Sequence, residues 1–147
     1  MRGFEIAKGY ENLNIKLPKR STLHSAGYDI AIIEDVTIEP GEIKLSVTGL
    51  KAYMQDDEVL MLYPRSSLPK NYHLTIPNNV GIIDKDYYGN KDNDGAIFVS
   101  LHNFGTETTT LKKGERVAQG IFQKYLVSPD EEVVTKVRNG GFGSTGK

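Results

Sequence analysis

Hydrophobic and polar residues alternate with a period of two over much of this 147-residue chain. Residues spaced in this way lie on one face of a β-strand, so the pattern predicts strands. The clearest case is the segment 36–47, where apolar residues occupy alternate positions on both sides of a Pro-Gly turn: Val36, Ile38, Ile43, Leu45 and Val47. We expect two strands around Pro40 and Gly41, with these side chains on one face.

Further segments of the chain carry strand-like patterns, namely 4–8, 28–33, 58–64, 96–103, 117–127 and 131–137. The segment 58–64 (EVLMLYP) is almost continuously apolar, which is typical of a strand buried on both faces. The run Asn90–Gly95 (NKDNDG) is typical of a polar hairpin tip. We therefore expect an all-β sandwich or barrel, folded as a single domain over residues 1–137.

Helical patterns are weak along the whole chain. No stretch of twelve residues shows convincing amphipathic periodicity. The segment 66–74 (SSLPKNYHL) predicts at most one short helical turn, because Pro69 cannot continue a helix interior.

Composition narrows the class of protein. Charged residues make up 25% of the chain, the formal net charge is -1, and there is no cysteine. A disulfide, a catalytic thiolate and a cysteine-based zinc site are thereby excluded. No basic field favours direct nucleic-acid binding, and no apolar run predicts a signal peptide or a membrane span. We expect a cytoplasmic protein, in a bacterial or a phage-infected cell.

Polar residues interrupt the strand pattern at places where they can carry chemistry. Asp29, at the start of a strand in AGYDI (26–30), is by itself most simply a turn or capping residue. In YPRSSL (63–68), the guanidinium fork of Arg65 lies beside the hydroxyls of Ser66 and Ser67 and can bind a phosphate. Such a loop is more often merely solvated.

Two later segments are ambiguous in the same way. PNNVGIIDKDYYGN (77–90) offers aromatic rings, a glycine and aspartates that suit a flat ligand, or else an ordinary hairpin. In KKGERVAQGIF (112–122), Gln119 interrupts an apolar strand and Arg116 is best read as a structural ion pair. The histidines at 24, 73 and 102 are scattered and show no metal-ligand spacing.

The tail RNGGFGSTGK (138–147) places one aromatic residue among glycines and cannot pack on itself. Taken in order, AGYDI, YPRSSL, NNVGIIDKDYYG, GERVAQGIF and this tail resemble the five motifs of the trimeric dUTPase family, over residues 26–147. The resemblance implies a jelly-roll-like β fold of the β-clip type and a homotrimer with shared active sites. It also implies Mg²⁺-dependent hydrolysis of dUTP to dUMP and pyrophosphate, which limits uracil in DNA and supplies dUMP for dTMP synthesis.

The resemblance assigns roles around the nucleoside. Asp84 corresponds to the aspartate that orients the attacking water and contacts the sugar 3′-hydroxyl. Tyr87 corresponds to the tyrosine packed under the deoxyribose, where it excludes a 2′-hydroxyl. Asn78 corresponds to the asparagine that reads the uracil edge, with backbone near Gly81 and Tyr87 completing the contacts. Phe142 corresponds to the aromatic residue that covers the uracil.

The resemblance also assigns the phosphate contacts. Arg65, Ser66, Ser67 and Gln119 correspond to phosphate binders in the body of the protein. The corresponding substrate-binding residues of the tail are Arg138, Gly143, Ser144 and Thr145. Asp29 corresponds to an acid linked through water to Mg²⁺, which the substrate phosphates mainly hold. The tail 138–147 would then be a mobile lid that closes over a site built by other subunits.

The chain departs from the common family pattern at several points. Arg138 lies four residues before Phe142, where five are usual, and Ser67 replaces a common glycine. The run Asn90–Gly95 is longer than the usual turn after the third motif. Phage members carry inserts near this region, and some of these inserts bind regulatory proteins. The insert here is short, and a regulatory partner at this loop stays open.

Two other functions remain open at this stage. A dCTP deaminase shares the fold and an Arg-Ser-Ser motif, but it needs a glutamate on the strand after the third motif, where FVSLHN (98–103) offers Ser100. A non-catalytic binding or regulatory β module is the other alternative.

Overall fold

The computed structural model describes residues 1–143 and 145. Within this part of the chain the strands are β1 (Gly3–Ile6), β2 (Tyr28–Ala31), β3 (Val36–Ile38), β4 (Ile43–Val47), β5 (Leu50–Tyr53), β6 (Glu58–Pro64), β7 (Leu74–Thr75), β8 (Gly81–Ile83), β9 (Phe98–Asn103), β10 (Thr109–Leu111) and β11 (Arg116–Lys124). The same residues contain one α-helix, α1 (Ser67–Tyr72), and two single 3-10 turns, Glu11–Leu13 and Lys85–Tyr87. The prediction of an all-β fold is confirmed.

All strand pairs among the described residues are antiparallel, in sheets ordered β1–β5, β3–β10, β4–β9–β7 and β2–β11–β6–β8. The last of these, which we call the central sheet, has β11 paired with both β2 and β6. Strands β2 and β8 therefore form its opposite edges. With neighbouring strands roughly 4.8 Å apart, these edges are about 14 Å from each other.

The core lies between the sheets and is built by the alternation that the sequence shows. Along β6, Leu60 and Leu62 are buried, whereas Val59, Met61 and Tyr63 on the other face are half-buried. Burying a leucine side chain contributes about 1.5–3 kcal/mol. The expectation that 58–64 is buried on both faces therefore holds fully for one face and in part for the other.

The segment 36–47 forms two strands, but these do not share a face. Strand β3 pairs with β10 and β4 pairs with β9, so the chain changes sheet between them. Ile43 and Leu45 are 55% and 51% exposed, whereas Ser46 is buried. The Ser46 hydroxyl donates to the Val99 carbonyl at 2.7 Å, which satisfies it inside the core. The prediction of one common apolar face is therefore wrong.

Helix α1 forms despite Pro69, which is its third residue. A proline in the first helical turn removes an N–H that has no partner within the helix, so it costs little there. The helix ends at Tyr72 and is capped by His73, which has a left-handed φ of 53° and donates its N–H to the Pro69 carbonyl. No helix within residues 1–143 and 145 is long and apolar enough to cross a bilayer, and the cytoplasmic location stays a prediction.

The prediction of a strand at 131–137 is wrong for the structure described. Val133, Val134 and Val137 are 91%, 74% and 74% exposed. No strand among the described residues pairs with this segment. A strand requires a hydrogen-bonding neighbour, and this part of the chain supplies none.

The run Asn90–Gly95, which we call the insert loop, is a compact polar loop rather than a hairpin tip, because β8 and β9 lie in different sheets. Asn90 is buried at its centre. The Asn90 side chain accepts from the backbone N–H groups of Asp92 and Asn93 at 3.0 and 3.2 Å, and donates to the Tyr87 carbonyl at 2.7 Å. The loop is therefore held by its own side chains.

Asp94 ties the insert loop to the body of the protein. Its carboxylate accepts from Lys51 Nζ at 2.7 Å and from the Lys8 backbone N–H at 2.9 Å. Burial alone would raise the pKa of Asp94, but these hydrogen bonds and the lysine charges outweigh burial, so the pKa lies below its ordinary value. The ionised form is the one that the folded state stabilises.

We expect Asp94→Asn to lower the free energy of unfolding by about 1–2 kcal/mol near pH 7. Asparagine tolerates the left-handed backbone of this residue, φ 61°. Because the folded pKa of Asp94 is depressed, its contribution is present above the unfolded pKa and is lost as pH falls through the folded pKa. Urea unfolding of both proteins at pH 7 and pH 3 measures this difference, which should shrink at pH 3.

Asp57→Asn is the matched control, because Asp57 forms an exposed ion pair with Lys124 at 3.4 Å. Such pairs contribute little, so this variant should follow the wild type at both pH values. An Asp94→Asn deficit that is equal at pH 7 and pH 3 would contradict the role assigned to the Asp94 charge.

Candidate active site

One group of predicted site residues lies where β2, β11 and the end of β6 meet. The backbone register pairs Gln119 of β11 with Asp29 on one side and with Tyr63 on the other. Arg116 Nη1 donates to Asp29 Oδ2 at 3.0 Å, and Arg65 Nε lies 3.8 Å from Asp29 Oδ1. We call Asp29, Arg65, Arg116 and Gln119 the arginine cluster.

Local backbone features place the arginine cluster. A bulge in β11 shifts the register with β2 between Arg116 and Ala118, and such a bulge re-aims neighbouring side chains. Arg65 follows the last residue of β6, and its backbone N–H donates to the Val117 carbonyl at 3.2 Å. Ser66 and Ser67 come next, with Ser66 exposed and Ser67 half-buried at the beginning of α1.

The charges of the arginine cluster favour an anion. One carboxylate lies between two guanidinium groups, so the cluster keeps a net positive charge. The side chains of Arg65 and Arg116 are 30% and 50% exposed, whereas that of Asp29 is 19% exposed. Arginine forks of this kind bind phosphate oxygens well. The ion pair predicted for Arg116 is confirmed.

A second group of predicted residues lies at the other edge of the central sheet. Asp84 directly follows β8 and has a side chain that is 53% exposed. Tyr87 is buried; its hydroxyl donates to the Ala96 carbonyl at 2.6 Å and accepts from Asn93 Nδ2 at 2.9 Å. Burial raises the pKa of the Tyr87 phenol, so the phenol stays protonated and can donate at neutral pH.

A cavity of about 460 Å³ opens beside β8. Apolar side chains form most of its wall, and polar or aromatic groups enter it from Asn78, Ser100 and Phe142, with Gly81 contributing backbone. Asn78 Nδ2 donates to the Val80 carbonyl at 3.3 Å, which leaves its amide oxygen available to a ligand. The size of this cavity suits a nucleoside.

The described part of the tail lies against this second group. Arg138 Nη2 donates to Asp84 Oδ2 at 3.0 Å and Arg138 Nε donates to Asp86 Oδ1 at 2.8 Å. The guanidinium carbon lies 5.7 Å from the centre of the Tyr87 ring. The Arg138 side chain is 6% exposed, whereas Phe142 is 73% exposed at the mouth of the cavity.

The remaining predicted tail residues lie beyond this contact. Gly143 has a φ of 76°, a conformation that favours glycine, and Thr145 is exposed. Ser144 lies outside the described residues.

The two groups do not meet within one chain. Asp29 is on edge strand β2, whereas Asp84 follows edge strand β8, with β11 and β6 between them. Asn78, Gly81 and Phe142 line one cavity, and Asp84 and Tyr87 contact Arg138 of the same tail. Asp29, Arg65 and Gln119 lie at β2, the end of β6 and β11, and Ser66 and Ser67 follow Arg65 in the chain.

A bound Mg²⁺ would have to rely on ligands other than a protein cage. No group of three or more His, Asp or Glu residues within 1–143 and 145 is arranged to hold a metal. Asp29 offers one carboxylate beside cations that attract phosphate, and Mg²⁺ prefers oxygen ligands while keeping much of its water. The described residues therefore fit a hydrated ion whose other ligands are substrate oxygens.

Asp86 and Asp92 contact the tail and were missed by sequence reasoning. Asp86 lies two residues after Asp84, and this spacing indicates a second carboxylate close to the predicted one. Asp92 Oδ2 accepts from the Gly141 N–H at 2.8 Å. This contact joins residues 49 positions apart, so no local pattern reveals it.

Comparison with known proteins agrees with these observations. A dUTPase family model matches residues 13–146. The chain is 55% identical, over 147 residues, to the deoxyuridine 5′-triphosphate nucleotidohydrolase of Lactococcus lactis subsp. lactis strain IL1403, with coverage of 99% of this chain and 98% of the relative.

Solved structures give the same result. A Streptococcus mutans dUTPase matches with a TM-score of 0.81 at 48% identity, covering 86% of this chain and 98% of its own. A dUTPase from phage phi11 of S. aureus, solved with a structural Mg(II) ion, matches in fold with a TM-score of 0.72 at 20% identity, covering 92% and 97%. The expected jelly-roll-like fold is confirmed, and the chain belongs to the dUTPase family.

Proposed function

We propose that this chain hydrolyses dUTP to dUMP and pyrophosphate, with Asp84 orienting the attacking water. The observation that carries the proposal is the grouping of Asn78, Gly81 and Phe142 around one cavity, with Arg138 of the same tail bonded to Asp84 and lying over the Tyr87 ring. The arginine cluster supplies the cations that a triphosphate requires. Removing dUTP would limit uracil in DNA, and its product would supply dUMP for dTMP synthesis.

The cavity accounts for recognition of the nucleoside. Asn78 has both an acceptor and donors to read the uracil edge, and backbone at Gly81 can approach the base closely. Phe142 gains apolar contact when a base lies beneath it, so binding would draw it from its exposed position. Tyr87 is fixed at its hydroxyl by Ala96 and Asn93, so its ring is a rigid wall against a 2′-hydroxyl.

Phosphoryl transfer needs an aligned nucleophile and stabilisation of negative charge on the phosphate oxygens. Arg65 and Arg116 are held by Asp29, while Gln119, Ser66 and Ser67 add hydrogen-bonding groups nearby. Mg²⁺ bound to the phosphates would neutralise their charge. Asp29 would contact that ion through water while it keeps the arginines in place.

Asp84 is suited to hold the water because it is half-exposed and lies directly after a strand of the central sheet. Its Oδ2 accepts from Arg138, and a carboxylate retains further lone pairs for a water molecule and a sugar hydroxyl. Tail closure by Phe142 and the residues after it would exclude bulk solvent around the reacting phosphate.

The separation of the two groups supports a homotrimer with shared active sites. The arginine cluster of one subunit would complete the β8-edge group of another. Exposed apolar residues, including Leu126 at 96% and Val133 at 91%, provide surface that a neighbouring subunit can cover.

The alternative functions receive less support. A dCTP deaminase needs a carboxylate where β9 lines the cavity, and this chain has Ser100 there. A purely regulatory module would not need the paired arginines, Asp84 and the cavity together. A regulatory partner at the insert loop in addition to catalysis remains a proposal of its own, and pull-down with and without dUTP would test it.

Asp84→Asn should lower kcat for dUTP at least a thousandfold, because the amide cannot accept a proton from the water. Binding of a non-hydrolysable imido analogue of dUTP should change less than fivefold, since the side chain keeps its size. Pyrophosphate release and calorimetry measure the two effects. Wild-type turnover of UTP and dTTP should be poor, and ammonia release from dCTP should be absent.

Asp57→Asn is the control for loss of an exposed aspartate and should keep full activity. Near-normal turnover by Asp84→Asn would remove Asp84 as the residue that holds the water. Equal turnover of UTP and dUTP would reject the role of Tyr87, and ammonia from dCTP would favour the deaminase.

Mixing two inactive variants tests whether the site is shared. Arg65→Ala removes a cation from one group and Asp84→Asn removes the acid from the other. If the groups come from different subunits, random trimers of an equal mixture contain intact sites and should recover up to about a quarter of wild-type activity. Pyrophosphate release after joint refolding measures the recovery, and light scattering should give three times the 16.3 kDa chain mass.

Each variant refolded alone is the control and should stay inactive. A mixed sample that has the trimer mass but regains no activity would show that both groups serve the same site from one chain.

A further inference from the structure

A side chain of the insert loop holds the hydroxyl of Tyr87. Asn93 Nδ2 donates to this hydroxyl at 2.9 Å, and the hydroxyl donates to the Ala96 carbonyl at 2.6 Å. The phenol oxygen is thereby engaged both as an acceptor and as a donor. Because Tyr87 is 6% exposed, loss of either partner would leave a buried polar group with an unmade hydrogen bond.

Asn93 is itself held in one orientation. Its amide oxygen accepts from Asn90 Nδ2 at 2.8 Å and from the Gly95 N–H at 3.0 Å. Its backbone N–H donates to Asn90 Oδ1 at 3.2 Å, and its backbone carbonyl accepts from the Ala96 N–H at 3.0 Å. Since two donors already occupy the amide oxygen, the amide nitrogen is the end that faces Tyr87.

The backbone of the insert loop packs against the segment that carries Tyr87. A Cβ atom at Gly95 would lie 2.9 Å from the Tyr87 carbonyl oxygen, and Gly95 has a φ of 90°, so glycine is required there. The Gly89 N–H donates to the Asp94 carbonyl at 2.9 Å. The loop therefore fixes the main chain of Tyr87 while Asn93 fixes the far end of its side chain.

The face of the Tyr87 ring adjoins the space next to Asp84. The guanidinium of Arg138 lies over this ring, with its carbon 5.7 Å from the ring centre, and the same group donates to Asp84 Oδ2 at 3.0 Å. The ring and the Asp84 carboxylate therefore border the same space. A site that distinguishes closely similar ligands needs its walls held to within about 0.5 Å.

We propose that Asn93 is a positioning residue for sugar recognition, and that the insert loop sets the preference of the site for a 2′-deoxynucleotide over a ribonucleotide. This inference rests on the proposed function in taking the Tyr87 ring as the wall under the deoxyribose. Asn93 acts through the Tyr87 hydroxyl, which it holds so that the ring cannot withdraw from a 2′-hydroxyl. The lengthened loop thereby takes part in selecting the substrate.

Asn93→Ala removes the donor and should lower the preference for dUTP over UTP, the ratio of their kcat/KM values, about five- to tenfold. The fall should come mainly from better use of UTP, because the ring can then move away from the 2′-hydroxyl. Pyrophosphate release measures both rates. Lys91→Ala is the matched control, because Lys91 is an exposed neighbour in the same loop, and its ratio should stay within about twofold of wild type.

Tyr87→Phe separates positioning of the ring from a general weakening of the loop. It removes the hydroxyl through which Asn93 acts, so it should lower the preference by a similar factor. Because both changes delete the same hydrogen bond, adding Asn93→Ala to Tyr87→Phe should change the ratio less than about twofold. Effects that multiply in the double variant, or an unchanged preference in Asn93→Ala, would overturn the inference.

Binding measures the same preference without turnover. Calorimetry with non-hydrolysable imido analogues should show wild-type protein preferring the dUTP analogue to the UTP analogue, and Asn93→Ala should lose about five- to tenfold of this preference. Equal binding of both analogues by wild-type protein would also overturn the inference. Wild-type protein that prefers the dUTP analogue but releases no pyrophosphate from dUTP would reject the proposed function, and binding by Asn93→Ala would still decide the role of Asn93.

Discussion

The pairing of β11 with β2 on one side and β6 on the other is the constraint on which the rest of the structure depends. It puts Gln119 in register with Asp29 and Tyr63, and the bulge beside it aligns Arg116 with the same aspartate. The same pairing leaves β8 at the far edge of the central sheet, with β11 and β6 between Asp84 and Asp29. Sheet order thus separates the two groups of predicted site residues within one chain.

The β8 edge is organised by amide hydrogen bonds of the insert loop. Asn90 holds the loop together, and Asn93 reaches the hydroxyl of Tyr87, the residue assigned to the sugar. The tail adds Arg138 between Asp84 and Asp86. Polar networks in partly buried surroundings are rigid when their members are paired, and this rigidity holds the Tyr87 ring in one position.

Sequence patterns predicted the strands well where both partners belong to the same chain. They were wrong for the face of Ile43 and Leu45 and for a strand at 131–137. Period-two alternation identifies which residues share a face, but it does not say which sheet covers that face or whether a partner strand is present. Pro69 illustrates a local limit of another kind, because a proline in the first turn of α1 removes no hydrogen bond within the helix.

The sequence by itself determined the all-β class, the family resemblance and the residue types that a nucleotide site needs, because these depend on local alternation and on motif order. Only the tertiary structure decided that Asp29 lies between two arginines, that Arg138 bridges Asp84 and Asp86, and that Asp92 meets Gly141. These contacts join residues 36 to 87 positions apart, with distances set by sheet order and loop packing. Such separations leave no periodic trace in a single sequence.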